Sequence, residues 1–376
     1  MRLGLLGFGV VGKGVYDLAQ LRSDIKVGKV VCLEDITLPD AEVTKDFQSV
    51  LNDPTIDTVV EAMGGLHPAF EFVKAAILAG KNIVTSNKAL MAHFYDELIP
   101  LAEKQGVLVR CTAAVGGGIG WLSELERSRR TQDIYAVGGI VNGTCNFILD
   151  AMTRNGQSYD EALKTAQSLG YAEANPSTDI DGIDTYHKLI LSANVAFGIS
   201  LQGDSIPVAG IRNIRAEDVA AFASHGYVCK LTCAGKNKDG VLEAYVQPTL
   251  FPASAPEATV PLNYNLITLM GTASDRMSFY GQGAGRYPTA HNVLQDCVDI
   301  MRGVGFHCAY GEKKAAENNT KLSYYVRGAE DAFLQANCKE RWGSAIVTNP
   351  VSVADMHSYL KNNPDAFIAA IPETAI

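Results

Sequence analysis

The sequence lacks the features that mark membrane proteins and nucleic-acid-binding proteins. Its 376 residues contain no uninterrupted apolar run long enough to span a bilayer, which needs about 18 or more residues. Long basic runs are missing too, and the net charge of -9 comes from 32 basic and 41 acidic residues. This charge balance argues against a nucleic-acid partner. We therefore expect a soluble protein with neither a membrane nor a nucleic-acid partner.

Paired cysteine motifs are also missing. The eight cysteines are scattered along the chain: Cys32, Cys111, Cys145, Cys229, Cys233, Cys297, Cys308 and Cys338. None forms a CxxC pair, and Cys229 and Cys233 lack the second ligand pair that a zinc site needs. Scattered cysteines in a chain of this length predict free thiols in a reducing compartment, and so a cytoplasmic protein.

The pattern of apolar segments predicts two folded regions and a tail. Over residues 1–120, short apolar strands alternate with helices, one of which is expected from His93 to Gln105. This alternation predicts a doubly wound parallel sheet of α/β class. Residues 121–280 change to a mixed α+β pattern, and residues 281–303 return to complete the first domain. The polar stretch 311–321 is interpreted as a linker within a C-terminal tail, 304–376.

A glycine-rich turn follows the first predicted strand. The residues Gly7-Phe8-Gly9-Val10-Val11-Gly12 have the G-x-G-x-x-G spacing between a strand and a helix. In that context the turn brings backbone N–H groups and a helix N-terminus to a pyrophosphate, which predicts a dinucleotide site of Rossmann type. Glu34 follows Gly12 by 22 residues, where a carboxylate accepts hydrogen bonds from the ribose hydroxyls and repels a 2′-phosphate. NAD is therefore expected rather than NADP, although NADP stays possible.

A second polar cluster lies in the predicted mixed domain. Glu173 stands in a loop before Asn175-Pro176, and Asp184 and Lys188 are four residues apart on the next predicted helix. Residues with this spacing share one helix face, and this helix has almost no polar face left for solvent. We interpret the pair as a buried functional pair rather than a surface ion pair. Lys88 is a further candidate, because it follows a parallel strand at the sheet edge where ligands bind.

These segments together resemble the homoserine dehydrogenase family over residues 1–303. The matching motifs are GFGVVG, MGGLHPA, VTSNKALMA, GGIVNGTCNFIL, the block from Ala166 to Lys188, and YGQGAGRYPTA. The resemblance implies reversible NAD(P)H-dependent reduction of L-aspartate 4-semialdehyde to L-homoserine, in threonine and methionine biosynthesis. It also implies a second domain that serves catalysis and dimerisation, in a homodimer or homotetramer.

The resemblance implies a role for each matched residue. Lys188 is the implied acid–base group, Glu173 and Asp184 hold the amino acid, and Lys88 assists near the substrate and the nicotinamide. The implied cofactor contacts are Gly7, Phe8, Gly9, Val10, Val11, Gly12, Glu34, Gly64, Lys88, Gly170 and Gly283.

The sequence departs from the family at the loop that follows residue 111. The family supplies a monovalent-cation site there, mostly through backbone carbonyls, which would be those of Val115, Gly117 and Ile119. Thr112 stands where the family has a glutamate, so the only charged ligand is lost. The C-terminal tail departs as well, and it is interpreted as a possible reduced ACT-like unit.

Two alternatives compete with the dehydrogenase. One is a catalytically silent NAD-binding regulator on the same scaffold, which the joint presence of Lys88, Glu173, Asp184 and Lys188 disfavours. The other is a semialdehyde dehydrogenase that acts through a cysteine thioester, for which Cys145 would be the nucleophile. No histidine signature accompanies Cys145, so a small core residue is the favoured interpretation.

Overall fold

The computed structural model describes residues 1–305 and 311–372. The chain divides into two compact units. The first comprises Met1–Thr131, Gly198–Ser200 and Gly281–Glu312, and the second comprises Gln132–Phe197, Leu201–Tyr280 and Lys313–Ile376. Cys308 and part of the predicted tail lie outside the described residues.

The helices and strands of each chain segment have the following bounds. Residues 1–131 form β1 (Arg2–Leu6), α1 (Val10–Gln20), β2 (Lys26–Val31), β3 (Glu42–Thr44), α2 (Gln48–Leu51), β4 (Thr58–Glu61), α3 (Ala69–Leu78), β5 (Asn82–Thr85), α4 (Lys88–Gln105), β6 (Val109–Arg110) and α5 (Trp121–Ser128). Residues 132–282 form β7 (Ile134–Ile140), α6 (Gly143–Asn155), α7 (Tyr159–Ser168), α8 (Ser177–Ile180), α9 (Ile183–Phe197), β8 (Ser200–Leu201), α10 (Ala216–Ser224), β9 (Tyr227–Lys238), β10 (Val241–Pro252), α11 (Pro256–Thr259), β11 (Tyr264–Gly271) and β12 (Asp275–Gln282). The remaining elements are α12 (Arg286–Met301), β13 (Lys313–Lys314), β14 (Lys321–Arg327), α13 (Ala332–Asn337), β15 (Cys338–Trp342), β16 (Ala345–Thr348), β17 (Val351–Ser352), α14 (Val353–Asn362) and β18 (Phe367–Ile371).

The first unit is built on a parallel sheet with the strand order β3-β2-β1-β4-β5-β6. This is the order of a dinucleotide-binding doubly wound sheet, in which the direction of winding reverses beside β1. Leu6 pairs with both Val31 and Glu61, so the carboxyl ends of the three central strands are level. Ligands bind at that edge in open α/β sheets. The predicted fold class is therefore confirmed.

The core of the first unit joins the two ends of its sequence. Leu3 and Leu5 of β1 and Val15 of α1 are fully buried together with Val293 of α12. Helix α12 crosses α1 closely at Gly14, where an added Cβ would lie 2.6 Å from the Arg286 carbonyl oxygen. The return segment is thus part of this core.

The second unit is built on one large mixed sheet. Its strands follow the order β12-β11-β7-β9-β10-β18-β14-β16-β15, and β17 pairs with β14. Strands β9 and β10 form a long antiparallel hairpin, in which Tyr227 pairs with Pro252 and Lys238 with Val241. Helix α9 is buried along almost its whole length, from Asp184 to Ala196.

The C-terminal part of the second unit has the order β14-α13-β15-β16-α14-β18 along the chain. In space its strands follow the order β18-β14-β16-β15 and are antiparallel. This arrangement is the split βαβ, or ferredoxin-like, pattern. Its edge strand β18 pairs with β10 in parallel, at Thr249 and Ala370, so one continuous sheet carries both parts.

Two details of the sequence interpretation are wrong. The stretch 311–321 is not a loose linker, because Asn318 is 3% exposed and its side chain bonds to the Ala244 N–H and the Ser205 carbonyl, both at 2.9 Å. The helix expected from His93 begins at Lys88, because the side chain of Asn87 caps it by accepting the Leu90 N–H. Within the described ranges, no helix combines the length and apolar character needed to cross a membrane.

Candidate active site

The glycine turn between β1 and α1 has the geometry of a pyrophosphate cradle. Gly7 has φ +90°, a conformation that favours glycine, and an added Cβ at Gly12 would overlap the Gly7 carbonyl oxygen. Gly9 precedes α1 and has no atom within 4 Å of a hypothetical Cβ, so a ligand can approach its backbone. Since no side chain of the described residues caps α1, its first N–H groups are available to an anion. The residues present therefore fit a dinucleotide.

The other side chains of the turn differ in exposure. Phe8 is buried, Val11 is half-buried, and Val10 is exposed. Glu34 follows β2 and is exposed, as expected for a group that meets the ribose. Its carboxylate lies 3.8 Å from the Lys13 ammonium of α1. Sequence reasoning missed Lys13, which lies beside the carboxylate proposed to meet the ribose.

Glu61 organises the next loop of the first unit. It ends β4, is fully buried, and accepts hydrogen bonds from the Met63 N–H at 2.8 Å and the Gly64 N–H at 3.3 Å. The Thr85 hydroxyl, at the end of β5, donates to its other oxygen. Gly64 has φ +77° and open space around it. One buried carboxylate therefore fixes the loop that carries a predicted cofactor contact.

Glu61 is also linked to Lys88 through Asn87. The Asn87 amide group donates to Glu61 at 3.5 Å and to the Gly65 carbonyl at 2.7 Å, while its oxygen caps α4. Lys88 is the first residue of that helix and is half-buried. Gly64 and Lys88 are thus held by one polar network. Sequence reasoning missed Glu61 and Asn87, because the contacts of Glu61 with Thr85 and Asn87 join the ends of two different strands.

Asp184 and Lys188 form a buried ion pair in the second unit. They stand one turn apart on α9, with Oδ2 and Nζ 2.8 Å apart and with side chains 4% and 9% exposed. The Lys188 ammonium also donates to the Val141 carbonyl oxygen, at 2.6 Å. An ammonium has three N–H donors, so the third has no acceptor in the described part of the chain. The arrangement can present one proton to a substrate oxygen.

Asn142 supports the pair from the end of β7. Its amide nitrogen donates to Asp184 Oδ2 at 2.8 Å and to Asp179 Oδ1 at 2.7 Å. Its oxygen accepts the Cys145 N–H and so caps α6. An asparagine followed by glycine is typical of the start of a helix, so the sequence indicates the cap of α6. The contacts of Asn142 with Asp179 and Asp184 are visible only in the structure. Asn142 orients Asp184 and, through it, Lys188.

The remaining predicted residues of the second unit lie on the loop between α7 and α8. Glu173 is exposed there, and the Gln167 side chain holds its backbone carbonyl, at 3.1 Å. The Thr144 hydroxyl holds the same loop through the Tyr171 carbonyl, at 2.5 Å. Gly170 has φ +76° at the start of this loop. The Glu173 carboxylate is therefore accessible to a ligand.

Cys145 is not poised as a nucleophile. Its thiol is fully buried and lies 3.2 Å from the Asp179 carbonyl oxygen, to which it donates. Burial raises the pKa of the Cys145 thiol well above its ordinary value, and the charge of Asp179 raises it further. Because the reactive species is the thiolate, this environment disfavours the thioester alternative. Among the described residues seven cysteines are free thiols, and six of them are buried.

In the loop after residue 111, two of the three carbonyl oxygens predicted for a monovalent-cation site already accept hydrogen bonds. The Gly117 carbonyl accepts a hydrogen bond from the Asn292 amide at 2.6 Å, and the Ile119 carbonyl accepts one from the Trp121 N–H at 2.7 Å. Thr112 uses its hydroxyl and N–H to bind Asp296, at 2.7 and 2.8 Å. Residues 1–305 and 311–372 contain no group of three acidic, histidine or cysteine side chains placed to hold a metal. No step of the reaction is assigned to an ion.

Gly283, the last predicted cofactor contact, packs against the same loop. An added Cβ at Gly117 would lie 2.5 Å from the Gly283 carbonyl oxygen, so the two backbones are in close contact.

The open glycine turn at Gly9 and the buried lysine of α9 place the chain among the NAD(P)-dependent dehydrogenases. The homoserine dehydrogenase family model matches residues 121–298, and the model of the NAD-binding domain of homoserine dehydrogenase matches residues 7–111. The chain belongs to the homoserine dehydrogenase family.

Individual relatives agree with the family models. The chain is 38% identical to the homoserine dehydrogenase of Synechocystis over 317 residues, or 80% of this chain and 73% of the relative. It is 36% identical to that of Bacillus subtilis over 362 residues, or 92% and 83%. The crystal structure of a homoserine dehydrogenase from Thiobacillus denitrificans matches with a TM-score of 0.87 and 30% identity, covering 99% of this chain and 98% of that one. None of these supports the alternative of a silent regulator.

Proposed function

We propose that Lys188 is the acid–base group in the interconversion of L-homoserine and L-aspartate 4-semialdehyde. The bound nicotinamide supplies or accepts the hydride. In the reductive direction charge develops on the substrate oxygen, where an ammonium group stabilises it and donates the proton. The observation that carries the proposal is the Lys188 ammonium, with two N–H groups fixed by Asp184 and Val141 and one left.

Asp184 and Glu173 are proposed to hold the ammonium group of the amino acid. Asp184 is fixed by Asn142 and Lys188, so its position is set before the substrate arrives. Glu173 lies on an accessible loop. Lys88 is proposed to act near the substrate and the nicotinamide, from the start of α4. Opposite charge on the carboxylates favours the substrate's ammonium group over a neutral analogue.

NAD is proposed as the preferred cofactor, with NADP as the weaker one. The support is the exposed carboxylate of Glu34 at the end of β2, which accepts from ribose hydroxyls and repels a 2′-phosphate. The other proposed cofactor contacts are Gly7, Phe8, Gly9, Val10, Val11, Gly12, Gly64, Lys88, Gly170 and Gly283.

Each part of the chain has a separate proposed role. Residues 1–120 with 281–303 bind the dinucleotide, and 121–280 bind the substrate and form a homodimer or homotetramer. The tail from residue 304 is proposed to be a reduced ACT-like unit, which its βαββαβ order supports. Light scattering tests the oligomer, and a monomer at micromolar concentration contradicts it. Buried thiols suit a reducing compartment, which supports a cytoplasmic location.

A spectrophotometric assay of the purified protein tests the proposed function. Homoserine is supplied with NAD and then with NADP, and the absorbance of the reduced nicotinamide is followed. We expect turnover with both cofactors and a larger kcat/KM with NAD. An absence of turnover with either cofactor would contradict the assignment. NAD binding without turnover would instead support the alternative that the protein is a catalytically silent NAD-binding regulator.

A further inference from the structure

A cavity of about 210 Å³ lies on the sheet of the second unit where the β9–β10 hairpin meets the C-terminal part. A single bound water needs only about 10–15 Å³ of such space, so the cavity has room for a small molecule. Its polar lining comes from three strands: Thr232 and Lys236 of β9, Tyr245, Gln247 and Thr249 of β10, and Lys321 and Ser323 of β14. None of these residues belongs to the proposed active site.

Gln247, one of the residues that line this cavity, has an unsatisfied donor. It is 1% exposed, and its Oε1 accepts hydrogen bonds from the Tyr324 hydroxyl at 3.3 Å and from His357 Nε2 at 3.0 Å. Its amide nitrogen has no hydrogen-bond partner among the described residues. A buried amide donor without an acceptor is unfavourable. An acceptor atom in the cavity would satisfy it.

Two lysines give the cavity a positive charge. Lys236 is half-buried and Lys321 is exposed at its rim, and neither is ion-paired with a carboxylate in the described ranges. Burial lowers the pKa of Lys236, and the charge of Glu243 opposes this shift. An anion in the cavity would stabilise the charged form of the half-buried Lys236 ammonium group.

Two neighbouring threonine hydroxyls are also part of the polar lining. Thr232 Oγ1 and Thr249 Oγ1 lie 2.8 Å apart on adjacent strands. One hydroxyl of such a pair donates to the other, so the second proton is available to a ligand or to the Gln247 carbonyl, which lies 3.3 Å from Thr249 Oγ1.

We propose that this cavity binds a small organic anion through a carboxylate or phosphate group. Lys236 and Lys321 balance its charge, and the Gln247 amide nitrogen donates to one of its oxygens. Because Gln247 also accepts from Tyr324 of β14 and His357 of α14, the ligand joins the central sheet to the C-terminal part through one side chain. The proposal does not depend on the roles given to Lys188 or the glycine turn.

Calorimetric titration of the NAD-saturated enzyme tests the proposal, because bound NAD occupies the other anion site. The probes are inorganic phosphate and succinate, each at an ionic strength matched with chloride. We expect saturable binding of at least one probe in the millimolar range or tighter, and the stronger probe identifies the anionic group. The Lys321→Met variant should bind it at least about tenfold more weakly, as expected for one lost charge contact.

Two further variants make the result decisive. Gln247→Leu removes the buried donor and should weaken binding of the probe as much as Lys321→Met does. Lys339→Met is the control, because it removes an exposed lysine of β15 outside the cavity, and this variant should bind the probe like the wild type. Lys321→Met should keep the wild-type kcat in the absence of probe, which shows that it is folded. An absence of saturable binding to the wild type would overturn the proposal. Equal weakening by Lys339→Met would overturn it too.

Discussion

Glu61 and Thr85 face each other at the ends of two neighbouring parallel strands, and the Thr85 hydroxyl donates to the Glu61 carboxylate. The other oxygen of Glu61 accepts from the backbone of the Gly64 loop. The Glu61 carboxylate is fully buried and surrounded by donors. If its oxygens were lost, water could not take their place as acceptors for these donors. The sheet edge, the Gly64 loop and the helix of Lys88 therefore depend on one side chain.

Glu61→Gln tests this dependence. The glutamine amide group would face donors, so the Gly64 loop loses acceptors and shifts. We expect weaker NAD binding by about 1.5–3 kcal/mol, the value of a hydrogen bond to a charged group. Glu71→Gln is the matched control, since Glu71 is an exposed glutamate of α3 whose carboxylate pairs with His67 and has no proposed role. Equal NAD dissociation constants for both variants and the wild type would show that Glu61 has no positioning role.

Glu34→Ala tests the cofactor preference. Removing the carboxylate removes the charge that repels a 2′-phosphate and leaves Lys13 without its partner, so NADP should gain relative to NAD. We expect the ratio of kcat/KM with NAD to kcat/KM with NADP to fall by the equivalent of about 1–2 kcal/mol, as for one removed charge contact. Asp35→Ala, beside it in the sequence, removes an exposed carboxylate that pairs with Lys45 and should change little. A wild type that uses NADP as well as NAD would contradict the proposed role of Glu34.

Lys230 predicts a pH dependence of stability. It is fully buried, binds Asn146 Oδ1 and the Val260 carbonyl, and burial lowers its pKa to about 8. The folded state therefore loses this proton near pH 8, whereas the unfolded chain keeps it to about pH 10.4. Between these values the unfolded state binds more protons, so this group makes the free energy of unfolding rise with pH.

The Lys230→Met variant isolates that contribution. Several buried tyrosines oppose it at the alkaline end, so the informative quantity is the wild-type free energy of unfolding minus that of the variant. We expect this difference to grow by about 2–3 kcal/mol from pH 8 to pH 10. Lys339→Met, which removes an exposed lysine, should show no such growth. A difference that is flat with pH would mean that Lys230 stays charged throughout.

Local patterns predicted those parts of the molecule whose partners are close in sequence. The pairing of Asp184 with Lys188 follows from a spacing of four on a helix without a polar face, and the Gly7 turn follows from its strand–turn–helix context. The β11–β12 hairpin was missed, because Asp275–Gln282 alternates weakly and is rich in polar residues. Partners far apart in sequence were beyond such reasoning, as with Asn292 and the Gly117 carbonyl.

Lys188→Ala is expected to remove most of the activity and to leave NAD binding intact. Lys188 belongs to the second unit, whereas the glycine turn belongs to the first. Loss of a donor aimed at the developing alkoxide costs on the order of 10²–10³-fold in kcat. Loss of a positioned acid costs roughly 10²–10⁴-fold, and the two effects overlap in one residue. Asp184→Ala should also be severe, because Lys188 then loses the partner that orients it.

A second ion pair with the same spacing provides the control. Arg154 binds Asp150 at 2.6 Å on α6 of the same unit, with the arginine exposed, so Arg154→Ala breaks a pair that has no proposed role. If Lys188 and Asp184 were merely a structural pair, both alanine variants would lose some stability and keep their rates, as Arg154→Ala should. Measuring kcat and the NAD dissociation constant on one preparation of each variant separates these cases. A Lys188→Ala enzyme that retains more than about a tenth of the wild-type kcat, well above what loss of a positioned acid leaves, cannot have lost its proton donor.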